Sequence, residues 1–465
     1  MIHNLTPYPA YKDSGVLWLG EVPAHWENRT FRDLASAMKG KQPKSLKGLD
    51  EKTENGLPYI SMEYLRSHKF ESKVFAELQK GLVIAQESDI ILLWDGSNAG
   101  EFFIAKKGVV SSTSALIRSN LVNFKYFFYA CKLAEPTIRA FTVGMGIPHV
   151  DASVLKNIRY YIPPEEEQSA IVRYLDYMDR RIRRYIHAKQ KLIKLLEEQK
   201  QAIIHRAVTR GVEPDVKLKD SGIEWLGEVP EHWEMRRNGR LFSQRNQTGY
   251  PDLPILEVSL KTGINIRDFD NGARKQVMDD REKYKRAVKG DIAYNMMRMW
   301  QGAVGVVPVD GLVSPAYVVA SPSDGVNSEY YNYLFRTALY MKEIDCCSRG
   351  IVKDRNRLYW EDFKQIQSPY PPIEEQNRIV DTIQSQFLSV NLTIDSTNQE
   401  TDLLREYRTR LVSDVVTGKL DVRGVAASLP EEMKDGELPE DEAEESEEGV
   451  RDGVEGDIEE IIGDE

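Results

Sequence analysis

A 17-residue stretch occurs twice in the chain: YKDSGVLWLGEVPAHWE at 11–27 returns as LKDSGIEWLGEVPEHWE at 218–234, identical at 13 positions. A second pair keeps almost the same offset, with IPPEEEQSAIV at 162–172 answered by YPPIEEQNRIV at 370–380. The period of about 207 residues is far longer than the roughly 20–50 of solenoid repeats. The chain is therefore a duplicated domain, and each half must be built on the same frame.

After each Pro-Pro the sequence changes character. Residues 165–210 and 373–417 contain no glycine and no proline, and Gly211 and Gly418 close them, which are the limits of two long helices. In the first, Ile171, Leu175, Met178, Ile182, Tyr185, Leu192, Leu196 and Ile203 follow a spacing of four then three, the seam of a coiled coil. The second carries Ile379, Ile383, Phe387, Val390 and Ile394, then Leu404, Tyr407, Leu411 and Val415. Its middle, 391–398, is rich in Asn, Thr and Ser and is expected to bend or fray. At 1.5 Å per residue the first helix would be roughly 65–70 Å long, a spacer rather than an ordinary core helix. An antiparallel return of the second buries both seams, places the halves at opposite ends and relates them by a pseudo-twofold axis.

Between the helices lie two β-rich inserts, 28–161 and 235–369, punctuated by Gly, Asp and Asn. The stretches beginning at Ser88 and Gly290 share one rhythm of strand, glycine turn, strand, glycine turn, strand. Their sequences differ sharply although the flanking repeats are nearly the same. A common frame that holds two divergent inserts suits a reader of two different half-sites.

Composition bounds the rest. With 41% hydrophobic and 9% aromatic residues the chain supports real cores. No stretch near the start reads as a signal peptide and no apolar run is long enough to cross a bilayer, so the cytoplasm is the expected compartment. Cys131 and the adjacent Cys346 and Cys347 form neither a disulfide framework nor a zinc ligand pattern and read as reduced thiols. The net charge of −11 is misleading: residues 426–465 hold 18 acidic side chains against Lys434 and Arg451, a net −16 that leaves the remainder at +5. A mildly basic body permits a nucleic-acid partner without requiring one. The acidic tail reads as a disordered, solubilising extension, the competing reading being a rival for a basic DNA channel.

At these repeated residues the chain resembles the specificity subunits of type I restriction–modification systems. The resemblance covers residues 1–425 and rests on the SG-x-x-WLGEVP-x-HW opening of each half, the PP-x-EEQ segment ahead of each helix, and VVTGKLDVR at 415–423. It implies an α+β chain: two target-recognition domains of mixed α/β fold joined by two long antiparallel coiled-coil helices, with methyltransferase subunits clasping the helical pair. The implied segments are 1–161 for the first repeat and recognition domain, 162–217 for the central helix, 218–369 for the second domain, 370–425 for the distal helix, and 426–465 for the tail. The implied function is sequence-specific recognition of an asymmetric bipartite target in double-stranded DNA. Two methyltransferase subunits using S-adenosylmethionine and two motor-nuclease subunits using ATP and Mg2+ would supply the chemistry.

Base reading needs Arg, Lys, Asn, Gln, Ser or His on loops that reach groove edges. In the first half the candidates are Lys41 and Lys44, with Lys39 and Lys47 in the same loop, then Arg66 and His68, Ser97 and Asn98 in the turn at 95–98, and His149 at the end of the turn at 144–149. In the second half they are Arg237, with Arg236 and Arg240, then Lys261, Arg298, Gln301, Arg349, Lys353 and Arg355. Solvated surface loops are the competing reading. Arg173, Arg180, Arg184 and Lys191 form a stripe that reads as a coiled-coil flank. Trp18 with Trp26, and Trp225 with Trp233, read as packing that locks each repeat onto the helices.

No catalytic residue or metal ligand is expected. There is no phosphate loop, no Asn-Pro-Pro-aromatic motif of amino-methyltransferases, and no clustered His or Cys. Glu165 to Glu167, and Glu374 with Glu375, sit in first helical turns, where they favour the helix dipole rather than acid–base work. Two rival readings remain: a stand-alone DNA-modifying or DNA-cleaving enzyme with an unrecognised motif, and a scaffold that binds protein only.

Overall fold

A computed structural model describes residues 5–16, 19–48, 56–66, 72–144, 146–260, 262–267, 281–350 and 356–430. It is an α+β chain of two compact units: unit 1 comprises 1–190 with 399–465, and unit 2 comprises 191–398. The boundaries fall inside both long helices. Each helix therefore contributes one part to the core of each unit.

The long helices run unbroken over Glu165–Arg210 and Ile373–Val416. Both follow a Pro-Pro pair, whose fixed φ preorganises the first turn, and both end at a left-handed glycine, Gly211 with φ +75° and Gly418 with φ +77°. At Gly418 the demand is doubled, because a Cβ would lie 2.4 Å from Pro23 Cδ.

In unit 1, Ile171, Tyr174 and Leu175 share a buried core with Leu411, Val415 and Val416. Asp179 pairs with Arg408, and Lys189 with Glu400; partner numbers fall as the first helix rises, so these stretches are antiparallel. In unit 2, Ile204, Ala207 and Val208 join Ile379, Val380 and Ile383. There Lys200 donates to Asn391 at 2.7 Å and Glu213 pairs with Arg378, again antiparallel.

Two expectations about the helices fail. Tyr185 and Leu192 are not seam residues, being 52% and 42% exposed, whereas Tyr174, absent from the expected seam, is buried. A 3.5-residue repeat followed along a 3.6-residue helix drifts by about 20° per heptad, so one register does not stay on one face. The Asn/Thr/Ser-rich middle of the second helix does not interrupt it either. Thr397 is buried and returns its hydroxyl to the Thr393 carbonyl at 2.7 Å, which satisfies the polar group inside the helix.

Each unit repeats one frame. In unit 1, Tyr11–Asp13 pairs with Glu21–Pro23, and Glu27–Thr30 with Arg159–Ile162. In unit 2, Leu218–Asp220 pairs with Glu228–Pro230, and Glu234–Arg237 with Gln367–Tyr370. The two sequence repeats meet within this frame. Glu167 of the first PP-x-EEQ is 4% exposed and accepts from the Tyr8 hydroxyl at 2.6 Å and the Trp26 indole at 2.8 Å, with His25 Nε2 at 2.9 Å. Gln168 takes the Asn123 N–H and donates to the Pro163 carbonyl. The same places in unit 2 hold Glu375, 2.7 Å from His232 Nε2, and Gln376, bonded to Asn327 N–H and the Pro371 carbonyl. The repeated glutamates are thus buried hydrogen-bond hubs, a stronger structural role than the dipole alone. Trp26 and Trp233 are core residues, Trp225 packs edge-on to Tyr340, and Trp18 lies outside the described residues.

Above each frame stands an antiparallel four-stranded sheet of the same topology. Unit 1 orders it Phe102–Ile104, Ile90–Leu93, Ser114–Arg118, Ser36–Lys39; unit 2 orders it Val304–Val306, Ile292–Asn295, Tyr317–Pro322, Phe242–Arg245. The expected strand-turn rhythm is present, each unit having one short strand more than read: Gly108–Val110, which joins a second sheet beside Gly56–Ile60, and Gly311–Val313, which pairs with Lys285–Ala287. Unit 2 also carries a hairpin, Leu256–Ser259 with Gly263–Ile266.

The folded part of unit 1 runs past 426, the expected start of the tail. Residues Arg423–Ser428 form a short helix, Ala426 and Leu429 are buried in the core of unit 1, and Arg173 donates to the Leu429 carbonyl at 2.7 Å. Residues 426–430 carry no charge, so the composition of the acidic run does not extend to them. The remaining tail, 431–465, lies outside the described residues.

Candidate nucleic-acid interface

The four-stranded sheet of unit 1 ends, after Ile90–Leu93, in the turn at 94–101. A second loop, 141–150, folds onto it: Val150 N–H donates to the Trp94 carbonyl at 2.9 Å, and Val143 and His149 exchange backbone hydrogen bonds across a small hairpin. Gly144 at φ +118° makes that hairpin possible, since a Cβ there would lie 2.5 Å from the Ile147 carbonyl. Ser97 is exposed at the tip of the turn and Asn98 is half-buried beside it.

Asp95 organises this cluster. Its two carboxylate oxygens take Lys39 Nζ at 2.8 Å and His149 Nδ1 at 2.7 Å. Burial pushes its carboxyl up, but the hydrogen bonds from Lys39 and His149 and the charge of Lys39 outweigh burial and hold it below the usual range. Arg66 pairs with Glu101 at 2.9 Å, and the Glu101 N–H donates to the Asn98 carbonyl. Arg66, Asn98, Ser97 and His149 therefore stand around one turn. Lys41 belongs to the segment following Ser36–Lys39, where Gln42 accepts from Ser112 at 3.1 Å, and is exposed, as is Lys44 further along. His68 lies outside the described residues. Asp95 and Lys39 are the pair that sequence reasoning did not put together, because an Asp in a Gly-containing turn reads as a turn former.

Unit 2 builds the same junction from other chemistry. The turn after Ile292–Asn295 closes as a short 3-10 helix, Met299–Gln301, and Leu358 N–H donates to the Met296 carbonyl at 2.9 Å, matching Val150 with Trp94. Arg349 and Arg357 exchange backbone hydrogen bonds as Val143 and His149 do. Arg349 is exposed and pairs with Asp362. Arg298 is half-buried at the start of the 3-10 turn. Gln301 is exposed and lines a cleft of about 550 Å³ with Thr262, Gly263, Arg336 and Lys200. The Arg336 guanidinium fixes one wall, donating to the Leu260 and Val304 carbonyls. Arg298 and Gln301 share the 3-10 turn, and the Arg349–Arg357 pairing is joined to that turn through Leu358 and Met296. Lys261, Lys353 and Arg355 lie outside the described residues. Arg237 stands apart from these loops, at the end of the frame strand Glu234–Arg237 opposite Gln367. Its neighbour Arg236 is spent on structure, stacked 3.6 Å from the Tyr370 ring centroid and paired with Glu234.

Among the described residues no group of three or more His, Cys, Asp or Glu has the arrangement of a metal site, and no helix is long and apolar enough to cross a membrane. All three cysteines are free thiols.

Fold and loops define a class: a duplicated α+β chain on two long helices, with the same pair of loops joined in each unit and different side chains on them. The chain belongs to the type I restriction–modification DNA specificity family, whose domain, described as type I restriction modification DNA specificity domain, matches residues 23–195 and 225–404. It is 28% identical over 424 residues to the type I restriction enzyme MjaVIII specificity subunit of Methanocaldococcus jannaschii, covering 87% of this chain and 95% of that one. To the type I restriction enzyme EcoBI specificity subunit of Escherichia coli it is 23% identical over 352 residues, 72% of this chain and 74% of the other. A solved chain described as the structural basis underlying complex assembly and conformational transition of the type I R-M system shares the fold, with a TM-score of 0.61, 16% identity, and coverage of 85% of this chain and 98% of that one.

Proposed function

We propose that the chain is the non-catalytic, DNA-reading subunit of a type I restriction–modification complex, each unit reading one half of an asymmetric bipartite site in double-stranded DNA. Two methyltransferase subunits with S-adenosylmethionine and two motor-nuclease subunits with ATP and Mg2+ carry the chemistry. The observation behind this reading is the matched junction in both units: Trp94 with Val150, and Met296 with Leu358, the same scaffold presenting Lys, Asp, His and Asn in one and Arg and Gln in the other. A shared frame with unlike contact groups is what two unlike half-sites require. The contact groups are Lys41, Lys44, Arg66, Ser97, Asn98 and His149 in unit 1, and Arg237, Arg298, Gln301 and Arg349 in unit 2, with His68, Lys261, Lys353 and Arg355 completing the set.

The test is to express the chain with its partner subunits and map methylated adenines genome-wide. A gapped, non-palindromic motif is expected, and Arg298→Ala should relax the half-site opposite to the one relaxed by His149→Ala. A single continuous or palindromic motif would sink the reading, as would methylation by the purified chain alone.

A further inference from the structure

The hairpin at 141–150 carries more than a basic loop needs. Val143 and Ile147 are 51% and 60% exposed, an apolar surface that solvent does not favour and that suits contact with base edges or a thymine methyl. His149 pairs with Val143 across the hairpin, its side chain 46% exposed. Its ring is seated on the hairpin backbone, since a Cβ on Gly144 would come within 3.0 Å of Cδ2. Asp95 is bonded to both Lys39 and His149 and is ionised at neutral pH, as its depressed carboxyl requires. An ionised carboxylate only accepts hydrogen bonds, so the proton of a neutral His149 sits on Nδ1. The other ring nitrogen, Nε2, is then a lone-pair acceptor, and it has no partner among the described residues.

We infer that Asp95 is a positioning residue for base recognition. By holding His149 through Nδ1 it presents Nε2 as an acceptor for the exocyclic amino group of one base, adenine N6 or cytosine N4, in the half-site of unit 1. Those amino groups are the major-groove donors, and fixing a tautomer through the opposite ring nitrogen is how imidazoles are oriented elsewhere. Unit 2 supports the assignment by contrast. The place of Asp95, next to the carbonyl that receives the second loop, is taken by Met297, and the place of His149 by Arg357. Arginine has donors only, so unit 2 addresses base acceptors where unit 1 addresses a donor.

The inference rests on unit 1 being a DNA reader, and the experiment separates the two. With the complex reconstituted and its motif mapped, affinity is measured on duplexes in which each exocyclic amino group of the unit 1 half-site is replaced in turn by hydrogen. Purine stands in for adenine and 2-pyrimidinone for cytosine, so the sensitive position names the base. The wild-type complex should lose about 5- to 10-fold at one position, the value of one good hydrogen bond. His149→Ala and Asp95→Asn should each be indifferent to that replacement, while the other half-site keeps its full selectivity. A residue that merely stabilises the loop would weaken all sequences alike. If His149→Ala loses the discrimination and Asp95→Asn retains it, the positioning role of Asp95 is overturned. If His149→Ala changes selectivity nowhere in either half-site, the hairpin is not a reader and both statements fall. Should Asp95→Asn not assemble, a wild-type complex indifferent to every amino deletion in that half-site overturns the inference by itself.

Discussion

In unit 1 the buried Glu167 is a partner of Tyr8, His25 and Trp26, with Arg423 3.9 Å away. In unit 2 the corresponding Glu375 has His232, and the Trp233 indole N–H is buried with no hydrogen-bond partner among the described residues. The HW and EEQ motifs are the same in both, so the difference comes from what surrounds them. Unit 1 contains both ends of the described chain: Thr6 bridges to Asp421, Tyr11 donates to the Gly418 carbonyl, and Arg423 lies over the Tyr8 ring at 5.0 Å. Unit 2 is formed from the interior of the chain and has no such ends to contribute. Burial and the neighbouring Glu167 push the Tyr8 hydroxyl well up, so it stays a donor at any working pH. An identical motif therefore anchors one domain by a filled network and the other by a partial one.

The sharpest way to break this comparison is to remove the two hubs separately. Glu167→Ala strands two buried donors, Tyr8 and Trp26, beside the part-exposed His25 and should cost about 3–5 kcal/mol, whereas Glu375→Ala frees only the part-exposed His232 and should cost about 0.5–1.5 kcal/mol. Denaturant unfolding of the complex, followed by hydrogen exchange on peptides from each unit, would report both. Equal losses would show that the extra partners of Glu167 add nothing.

The C-terminal closure can be probed by length. Ending the chain after Arg423 removes Ala426 and Leu429 from the core and the Arg173 hydrogen bond with them. Burial of a leucine is worth about 1.5–3 kcal/mol, so unit 1 alone should lose about that much. Ending it after Pro430 should leave the melting temperature unchanged. If the two truncations behave alike, residues 424–430 do not close unit 1 and the asymmetry between the units must have another source.

Much of this architecture was legible in the sequence, for identifiable reasons. The long helices were bounded by what they lack, glycine and proline, and their ends at Arg210 and Val416 fall beside the glycines that stop them. The duplication was legible because the frame is repeated almost verbatim. The meeting of its two motifs was not, since His25 and Trp26 reach Glu167 across more than 140 positions and nothing local records the pairing. The loops were legible only as groups of suitable residues. That Asp95 would gather Lys39 and His149, 54 positions apart from it in the latter case, depends on a backbone junction set by tertiary packing. Arg237 shows the converse: basic residues read as one cluster are divided by the fold, Arg236 being committed to Tyr370 and Glu234.

Acid should separate the two units by a smaller margin. Among the described residues the aspartates held below their usual range are Asp33, Asp89, Asp95, Asp151 and Asp421 in unit 1, against Asp310 in unit 2. Asp33 is exposed and Asp151 and Asp310 are only part-buried, and screening leaves their share small. The weight falls on three. At Asp89 burial is overcome by the Arg118 pair, at Asp95 by Lys39 and His149, and at Asp421 the Arg423 hydrogen bond leads. For each, the folded carboxyl binds its proton less readily than the unfolded one. The stabilisation is therefore complete above the unfolded value of about pH 4 and is lost as pH falls through the lower folded value. Unit 1 should open before unit 2 between about pH 4 and pH 2. Incubating the protein across that range and pulse-labelling it with deuterium at one fixed pH would show it, on peptides containing Ile90–Leu93 and Ile292–Asn295. Asp421→Asn should narrow the gap by removing the Arg423 share. Simultaneous opening of both strands in the wild type would mean that these carboxylates do not set the acid stability of unit 1.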